Sequence, residues 1–318
     1  MQAPKYPVPT TVSEEAQALL GAPIDTSGKT LPMPSSVEEW LEIVESSNQG
    51  YMPMVEALKD SDAFTIEQQT IAGVTVRVIT PVNIPSDRQN KVLINLHGGG
   101  YVMFGGELSV MEGIGMALVG GFKVVAVDYR MPPLHPFPAA VDDGVAVYQA
   151  LLEDYEASDI AIFGASAGGG LTASVCLAAR DAGLPLPASV ILNTPWSDLD
   201  KLGDSYFTND GVDPVLSSYD GRLGQMATIY ADGESFKHPL ISPVYADYSK
   251  GFPPSLLVTG TRDLLLSCTV RLHRVLREAN LESELHVFEA MWHGFMTVPE
   301  GQVANIESIK FLEKHFGL

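Results

Sequence analysis

The sequence has few cysteines, few positive charges and no long apolar run. Its 318 residues include only two cysteines, Cys176 and Cys268, which stand far apart within apolar helical patterns. This spacing excludes a disulfide framework and a zinc site, so we expect both to be small buried side chains. No segment approaches the ~18 apolar residues that cross a bilayer, and Met1–Pro7 lacks the basic start and apolar stretch of a signal peptide. We therefore expect a soluble, cytoplasmic protein.

Positive charge is the second shortage. The chain has 19 lysines and arginines against 39 aspartates and glutamates, a net charge of -20 at pH 7. A surface this acidic repels phosphate backbones and anionic headgroups, so we expect no nucleic-acid partner and no membrane partner. Hydrophobic residues make up 46% and charged residues 18%, which excludes a disordered chain. At ~150 residues per domain, the length fits two domains or one large α/β domain with additions.

The hydropathy pattern of the first 80 residues changes from helical to alternating. Ser36 and Glu39 have the spacing of a capping box, and the apolar residues that follow recur at helical spacing, so a helix is predicted here. Thr65–Glu67 and Val74–Ile79 alternate with period two on either side of Ala72–Gly73, which predicts a β-hairpin.

From residue 91 onward, short apolar strands alternate with helical patterns. The predicted strands are Val92–Leu96, Val124–Val127, Ile160–Phe163, Val190–Leu192, Leu256–Val258 and Leu285–Phe288. The predicted helices are Ala139–Leu152, Gly168–Ala179, Cys268–Ala279 and Asn305–Phe316. This order predicts an α/β fold whose mostly parallel sheet is covered by helices on both faces. The polar segment 198–250 breaks the rhythm, so we interpret it as an insertion on top of the sheet, with a helical fragment at Arg222–Tyr230.

A candidate nucleophile lies between a predicted strand and a predicted helix. Gly164–Gly168 matches G-x-S-x-G, follows the strand Ile160–Phe163 and opens a helix, which is the position of a nucleophile elbow. Small residues on both sides permit the sharp turn that exposes the serine oxygen. The alternative is a glycine-rich turn without chemistry, but the strand-to-helix context favours Ser166 as the nucleophile.

A serine hydroxyl needs a base to take its proton, and His293 fits that role best. It stands in a loop after the strand that ends at Phe288, and loops at the carboxyl ends of parallel strands present reactive groups in such sheets. The remaining histidines lie in predicted helices or strands, before prolines, or ahead of the serine. They are His97, His135, His238, His273, His286 and His315.

Asp263 is the candidate acid that orients the base. It follows the strand Leu256–Val258, again at a carboxyl edge, and the order Ser166, Asp263, His293 is that of an α/β-hydrolase. The alternative for Asp263 is an N-cap of the following helix. The less well placed rivals for the role of acid are Asp198, Asp213, Asp247 and Glu289.

His97–Gly100 reads His-Gly-Gly-Gly and follows the strand Val92–Leu96, as the loop of an oxyanion hole does. Glycines let the backbone approach a substrate carbonyl, and the predicted donors are the N–H groups of Gly98, Gly99 and Ala167. A phosphate-binding loop is the alternative, but the segment lacks the terminal Lys-Ser/Thr and the G-x-G-x-x-G spacing.

With these motifs in this order, the chain resembles the hormone-sensitive-lipase-like family of α/β-hydrolases, a group of carboxylesterases and lipases. The resemblance covers residue 64 to the C-terminus. The other segments that carry it are Asp128–Arg130, His135–Ala140, Asp142–Asp143, Pro195–Leu199 and His293–Phe295. It implies an α/β-hydrolase fold with a helical cap. The cap would comprise residues 1–58 and the insertion at about 198–250, on a catalytic domain of residues 59–318.

The chain departs from the family pattern at three positions. Members usually have Asp or Thr before the nucleophile, where this chain has Ala165, and Ala and Glu where it has Pro132 and Leu134. These differences leave the triad intact and bear on local hydrogen bonds and on pocket shape.

Several large side chains near the predicted strand ends are candidates for lining an apolar substrate pocket. They are Tyr101, Phe104, Trp196 and Trp292. An apolar lining would suit an acyl or alkyl group. For each residue taken alone, ordinary core packing is an equal alternative.

The sequence therefore predicts a serine carboxylic-ester hydrolase that acts on neutral small-to-medium esters through an acyl-enzyme. We expect no metal and no cofactor, because no zinc or dinucleotide motif is present. Two alternatives stay open: a lactonase or amidase with the same triad, and a non-catalytic ligand-binding receptor on the same fold. A receptor would be expected to lack a triad member, and all three are present. The expected partner is a small-molecule ester or lactone, and a homodimer is one of the assembly states left open.

Overall fold

The computed structural model describes residues 6–318, so residues 1–5 of the predicted cap lie outside the described part of the chain. The helices of residues 6–318 are α1 (Glu14–Gly21), α2 (Val37–Lys59), α3 (Met111–Gly120), α4 (Ala139–Leu151), α5 (Ala167–Asp181), α6 (Ser205–Thr208), α7 (Arg222–Ala231), α8 (Leu266–Glu278) and α9 (Pro299–Phe316). The strands are β1 (Phe64–Ile71), β2 (Val74–Pro81), β3 (Val92–Leu96), β4 (Lys123–Val127), β5 (Ile160–Ala165), β6 (Ser189–Asn193), β7 (Ser255–Gly260) and β8 (Ser283–Phe288).

Helix α2 begins where the sequence predicts it. The Ser36 hydroxyl accepts a hydrogen bond from the Glu39 N–H at 3.2 Å, which satisfies one unpaired donor of the first turn. The other half of the capping box differs, because the Glu39 carboxylate accepts from the N–H of Ser35 at 2.6 Å. The helix then continues through Pro53 to Lys59.

The predicted hairpin is confirmed. Strands β1 and β2 pair antiparallel from Phe64 opposite Pro81 to Ile71 opposite Val74. The two linking residues both have positive φ, 49° at Ala72 and 82° at Gly73. Two such residues give the turn a twist that matches the right-handed twist of the strands.

All eight strands of the described chain form one sheet in the order β1-β2-β4-β3-β5-β6-β7-β8. Only β1–β2 and β2–β4 are antiparallel, and the remaining pairs are parallel. The prediction of a mostly parallel sheet is therefore confirmed. Parallel strands end at the same edge, so the segments that follow β3, β5, β6, β7 and β8 meet there.

The sheet is covered on both faces, as predicted for buried parallel strands. In β3, Val92, Ile94 and Leu96 belong to one buried apolar cluster, which includes residues of α4, α5 and α8. Leu93 belongs to a second cluster, which includes residues of α3 and α9. Both cysteines are fully buried and unpaired, as expected.

The segment at 198–250 contains α6, α7 and a short 3-10 turn at Pro243–Tyr245. Helix α7 agrees with the predicted helical fragment. Within residues 6–318, no helix is both long enough and apolar enough to span a membrane.

Candidate active site

Ser166 lies at the sharp turn between β5 and α5. Its φ is 57° and its ψ is -124°, a backbone conformation that a residue with a side chain rarely adopts. Hydrogen bonds hold this turn: the Ser166 N–H donates to the Asn193 carbonyl at 2.9 Å, and the Ser166 carbonyl accepts from the Trp196 N–H at 2.8 Å. Strained residues that the surroundings hold in place are typical of active sites.

The two glycines of the motif are required by the close approach of β3. A Cβ at Gly164 would lie 2.3 Å from the Leu96 carbonyl oxygen, and one at Gly168 would lie 1.9 Å from the same atom. Neither contact is physically possible, because the clash is with backbone. The glycines thus allow the nucleophile turn to lie against the end of the neighbouring strand.

Asp263 and His293 form a buried pair at the same edge. Asp263 Oδ1 lies 3.1 Å from His293 Nδ1, and the two residues expose 0% and 5% of their surface. The Thr259 hydroxyl donates to Asp263 Oδ2 at 2.8 Å, and the Leu265 N–H donates to Oδ1 at 2.8 Å. Asp263 therefore contacts the imidazole and binds the turn that leads into α8. The N-cap position of that helix is Leu265, so the N-cap alternative for Asp263 is wrong.

The pair sets the charge preference of His293. Burial alone would lower the pKa of His293, but the hydrogen bond and charge of Asp263, with the charges of Asp213 and Glu112, outweigh it and raise the pKa above the usual 6.5. A carboxylate acceptor at Nδ1 also keeps the proton of the neutral ring on that atom, which leaves Nε2 as the basic nitrogen.

The Ser166 hydroxyl is not hydrogen-bonded to His293 in the described part of the chain. Such catalytic hydrogen bonds are often long or poorly aligned until a substrate binds. The structure thus brings Asp263 and His293 into contact and places half-buried Ser166 at the same sheet edge.

Asp213 supports this pair from the 198–250 segment. It is fully buried, and its Oδ2 accepts from the N–H groups of Leu264 at 2.9 Å and His293 at 3.0 Å. Its Oδ1 accepts from the N–H groups of Val215 and Leu216. Asp213 therefore binds the backbone of His293, whereas Asp263 binds its ring. Burial, followed by the charge of Asp263, raises the pKa of Asp213.

In the oxyanion loop, residues 97–104, one of the three predicted donors is wrong: the N–H of Gly98. The Gly98 N–H donates to Glu112 Oε1 at 2.7 Å, so it is already occupied and is not available to a substrate oxygen. The N–H groups of Gly99 and Ala167 have no hydrogen-bond partner within residues 6–318. Ala167 is also the first residue of α5, where the helix dipole favours negative charge.

The backbone of the oxyanion loop is strained. Gly99 and Gly100 have φ values of 106° and 64°, and the non-glycine residues Tyr101 and Phe104 have 64° and 73°. A Cβ at Gly99 would lie 2.3 Å from the Met103 carbonyl oxygen. This tight loop needs glycine at its start, as the sequence indicates.

Three of the four predicted pocket residues are core residues. Tyr101, Trp196 and Trp292 expose 1%, 0% and 2% of their surface, so they offer almost no area to a ligand. Tyr101 stacks on Tyr230 with ring centroids 3.8 Å apart, and the Trp196 indole donates to the Tyr206 hydroxyl at 3.0 Å. For these three, the packing alternative describes what the structure shows.

Phe104 differs from the other three because it is half-buried and contacts α2. Its ring lies edge-on to Tyr51 at a centroid distance of 4.7 Å, and its N–H donates to Asn48 Oδ1 at 3.1 Å. Helix α2 is thereby attached to the oxyanion loop. Phe104 remains a candidate for contact with a substrate.

Glu112 is the site residue that the sequence analysis missed. It lies in the first turn of α3, whose sequence MEGIGMALVG contains no other charged residue. A single acid in an otherwise apolar helix is the signal that could have identified it, because buried carboxylates need specific partners. Asp213 was considered only as a rival to Asp263.

Among residues 6–318, no group of three or more His, Cys, Asp and Glu side chains is arranged to hold a metal ion. The chemistry of the site is that of a hydroxyl, an imidazole and carboxylates.

Comparison with known proteins identifies the family of the fold. A sequence profile of the α/β-hydrolase fold matches residues 93–297. The acetyl-hydrolase of Streptomyces hygroscopicus is 35% identical over 225 residues, which are 69% of this chain and 74% of that protein.

Solved structures match over almost the whole chain. The crystal structure of one esterase is 38% identical in sequence and has a TM-score of 0.93. The match covers 99% of this chain and 98% of the chain of that esterase. The structure of an esterase from the bacterial hormone-sensitive lipase family is 31% identical in sequence and has a TM-score of 0.82. That match covers 96% of this chain and 99% of the chain of the esterase. With the elbow, the glycine loop and the acid–base pair at one sheet edge, these matches show that the chain belongs to the α/β-hydrolase family, in its hormone-sensitive-lipase-like branch.

Proposed function

We propose that the protein is a serine carboxylesterase that hydrolyses neutral small-to-medium esters through an acyl-enzyme. The observation that carries the proposal is the buried Asp263–His293 pair, 3.1 Å apart, at the sheet edge where Ser166 occupies a strained elbow. Relatives named acetyl-hydrolase and carboxylesterase support an ester as the bond that is cleaved.

In the proposed first step, Ser166 Oγ attacks the ester carbonyl carbon while His293 Nε2 takes the hydroxyl proton. The negative charge of Asp263 stabilises the resulting imidazolium. The N–H groups of Gly99 and Ala167 donate to the oxygen that becomes negative, and Gly100 has a third N–H without a partner in the described chain. Collapse of this intermediate breaks the bond to the alcohol, which leaves with the proton from His293.

In the second step, His293 takes a proton from water, and the hydroxide attacks the acyl-enzyme carbonyl. The same donors hold the second oxyanion, and Ser166 regains its proton when the carboxylic acid leaves. Each proton that His293 accepts is returned, so the enzyme is unchanged after one cycle.

We also propose that residues 6–58 and the insertion, residues 198–250, form a cap that limits the size of the acyl group. Helix α2 contacts the oxyanion loop through Asn48 and Phe104. Helix α7 contacts it through Tyr230, which stacks on Tyr101. Two short segments that both touch the loop enclose less space than an open lipase surface, so compact substrates are favoured.

The experiment that tests the proposal is a kinetic panel of p-nitrophenyl esters with graded acyl lengths, together with lactones and anilides. We expect the highest kcat/KM for a short or medium neutral ester. Higher kcat/KM for a lactone or an anilide would support the lactonase or amidase alternative, which uses the same triad.

Covalent labelling separates an enzyme from a ligand-binding receptor. A fluorophosphonate should add one phosphonyl group to Ser166, measured by mass spectrometry of the intact protein and its peptides. The Ser166→Ala variant is the control and should not be labelled. Binding of esters without turnover and without labelling would support the receptor alternative and contradict the proposal.

A further inference from the structure

Glu112 connects the two strand ends that carry the oxyanion loop and the nucleophile. Its Oε1 accepts from the Gly98 N–H at 2.7 Å, and its Oε2 accepts from the Ala165 N–H at 3.0 Å. The Asn95 side-chain amide also donates to Oε2, at 3.3 Å. One carboxylate of α3 therefore binds β3, the loop after it and the last residue of β5.

All three partners are N–H donors, so the ionised carboxylate matches them with both of its oxygens. Burial raises the pKa of Glu112 to about 7, and protonation below that pH would make one oxygen a donor and weaken this match. Hydrogen bonds to a charged group are about twice as strong as those between neutral groups. A glutamine could satisfy only one side of the site, because its amide carries a single acceptor oxygen.

The position of Gly98 leaves little room for movement. A Cβ there would lie 3.0 Å from the Ala165 carbonyl oxygen, 3.1 Å from Glu112 Oε1 and 3.4 Å from Ser166 Cβ. Three successive glycines would otherwise be the most mobile part of the loop. The Glu112 bond to Gly98 fixes the peptide between His97 and Gly98, and its bond to Ala165 fixes the peptide between Gly164 and Ala165, one residue before the nucleophile. The distance between the oxyanion donors and the nucleophile is thereby set.

Glu112 also acts on the charge of the base. Burial raises the pKa of Glu112 to about 7, against the lowering effects of its three hydrogen bonds and of a positive His293. Conversely, its negative charge is one of those that raise the pKa of His293, with Asp263 and Asp213. The charge of Glu112 also raises the pKa of Tyr129, which lies two residues after the end of β4.

We propose that Glu112 is a positioning residue for ester hydrolysis: it holds the oxyanion loop against the nucleophile turn and supplies negative charge towards His293. The proposal rests on the proposed esterase function. The residue before Ser166 is Ala165, whose side chain is only a methyl group. The carboxylate that accepts from the Ala165 N–H therefore comes from a different element, α3.

The test compares Glu112→Gln, Glu112→Asp and the control Glu107→Gln with the unchanged protein, using p-nitrophenyl acetate. Glu107 lies five residues earlier, and its exposed carboxylate pairs with Lys59 and Arg77. Active-site titration with a fluorophosphonate first gives the fraction of competent enzyme, so that misfolded material does not enter kcat. The pH dependence of kcat/KM is then measured for each protein.

We expect Glu112→Gln to lower kcat by roughly 10- to 100-fold with KM changed by less than about 3-fold, because oxyanion donors act mainly in the transition state. The acid limb of its pH profile, which is the rise of kcat/KM with increasing pH, should move to lower pH. The reason is that His293 loses a negative neighbour and its pKa falls. Glu112→Asp should lower kcat but keep the acid limb, because it keeps the charge and shortens the reach. Glu107→Gln should leave both unchanged.

An unchanged kcat in both Glu112 variants, a loss confined to KM, or an acid limb that does not move in Glu112→Gln would overturn the proposal. If the protein without substitutions hydrolyses the ester, any of these results would contradict the role of Glu112 but not the proposed function. An unchanged protein that neither hydrolyses the ester nor reacts with the fluorophosphonate would contradict the proposed function itself.

Discussion

In the proposed mechanism, Ser166 contributes chemistry and little packing. It is half-buried, and its hydroxyl makes no hydrogen bond in the described chain, while its backbone is held by Asn193 and Trp196. Replacement of Ser166 by alanine should therefore lower kcat by ~10⁴-fold or more without a change in fold. The measurement is ester turnover, with circular dichroism and thermal unfolding as controls. A folded variant with near-normal turnover would show that another group is the nucleophile.

In the proposed mechanism, His293 determines how kcat/KM depends on pH. It acts as a base only when neutral, and its neighbours raise its pKa above 6.5. A raised pKa moves the protonated, inactive form to higher pH, so kcat/KM should increase with pH over a range centred above 6.5. Glu112, whose pKa is about 7, ionises in the same range. The check is a profile from about pH 5 to about pH 10 with a neutral ester. An activity maximum near pH 4 would contradict a histidine base.

Asp263 both orients His293 and favours its charged form. Replacement of Asp263 by asparagine should lower kcat by roughly 10⁴-fold, because the amide stabilises the wrong tautomer and not the imidazolium. The residual activity should have its acid limb at lower pH, since the charge that raises the pKa of His293 is removed. The matched control is Asp247→Asn, an exposed acid on a distant loop, which should leave both quantities unchanged.

At the scale of secondary-structure elements, the insertion, residues 198–250, supports the triad and does more than cover it. Asn209 donates to the Asp263 carbonyl oxygen at 2.8 Å, and Asp213 accepts from the backbone of Leu264 and His293. The two segments that carry the acid and the base are thus attached to the segment that follows α6. Movement of the insertion would therefore be transmitted to the Asp263–His293 pair.

Asp213 should be important for stability as well as for activity. Asp213→Ala would leave four backbone N–H groups without a partner, and we expect it to lower the free energy of unfolding by about 2 kcal/mol or more. Asp210→Ala, three residues earlier, removes a partly exposed ion pair with Lys29 and a hydrogen bond with Ser218, and should cost under about 1 kcal/mol. Urea unfolding of both variants measures the difference. Equal losses would show that the Asp213 hydrogen bonds are not stabilising.

At the scale of the whole molecule, net charge and local ion pairs act differently. The chain carries a net charge of -20, but three acids near the predicted cleft are paired with arginines: Asp128 with Arg77, Asp143 with Arg130 and Asp198 with Arg271. The net charge of the chain is therefore the main expected source of negative potential around the site, and Glu112, Asp213 and Asp263 add to it when they are ionised.

This potential predicts discrimination against anionic substrates. An ester with a carboxylate next to the reacting carbonyl should have a lower kcat/KM than its neutral analogue at low salt, and the ratio should approach one as salt screens the field. The measurement is kcat/KM for both esters at about 10 mM and about 500 mM NaCl, conditions that change the screening length several-fold. A preference for the anionic ester at low salt would reveal a local cationic site.

The features that depend on a local pattern of residues can be predicted from the sequence. The strand-turn-helix context placed Ser166, and the positions after the strands at 256 and 285 indicated Asp263 and His293. The hairpin at Ala72–Gly73 follows from turn chemistry and period-two alternation. Such signals span a few neighbouring residues, so they can be read before the chain is folded.

Contacts between side chains of distant helices, strands and loops are visible only in the folded chain. Glu112 lies 14 residues from Gly98 and 53 from Ala165 along the chain, yet it binds both and so removes the Gly98 N–H from the predicted oxyanion hole. Trp196 follows a strand end as a pocket residue would, but its indole is turned into the core and bonded to Tyr206. Hydrogen bonds of buried polar groups depend on the packing of distant segments, and no local pattern encodes that packing.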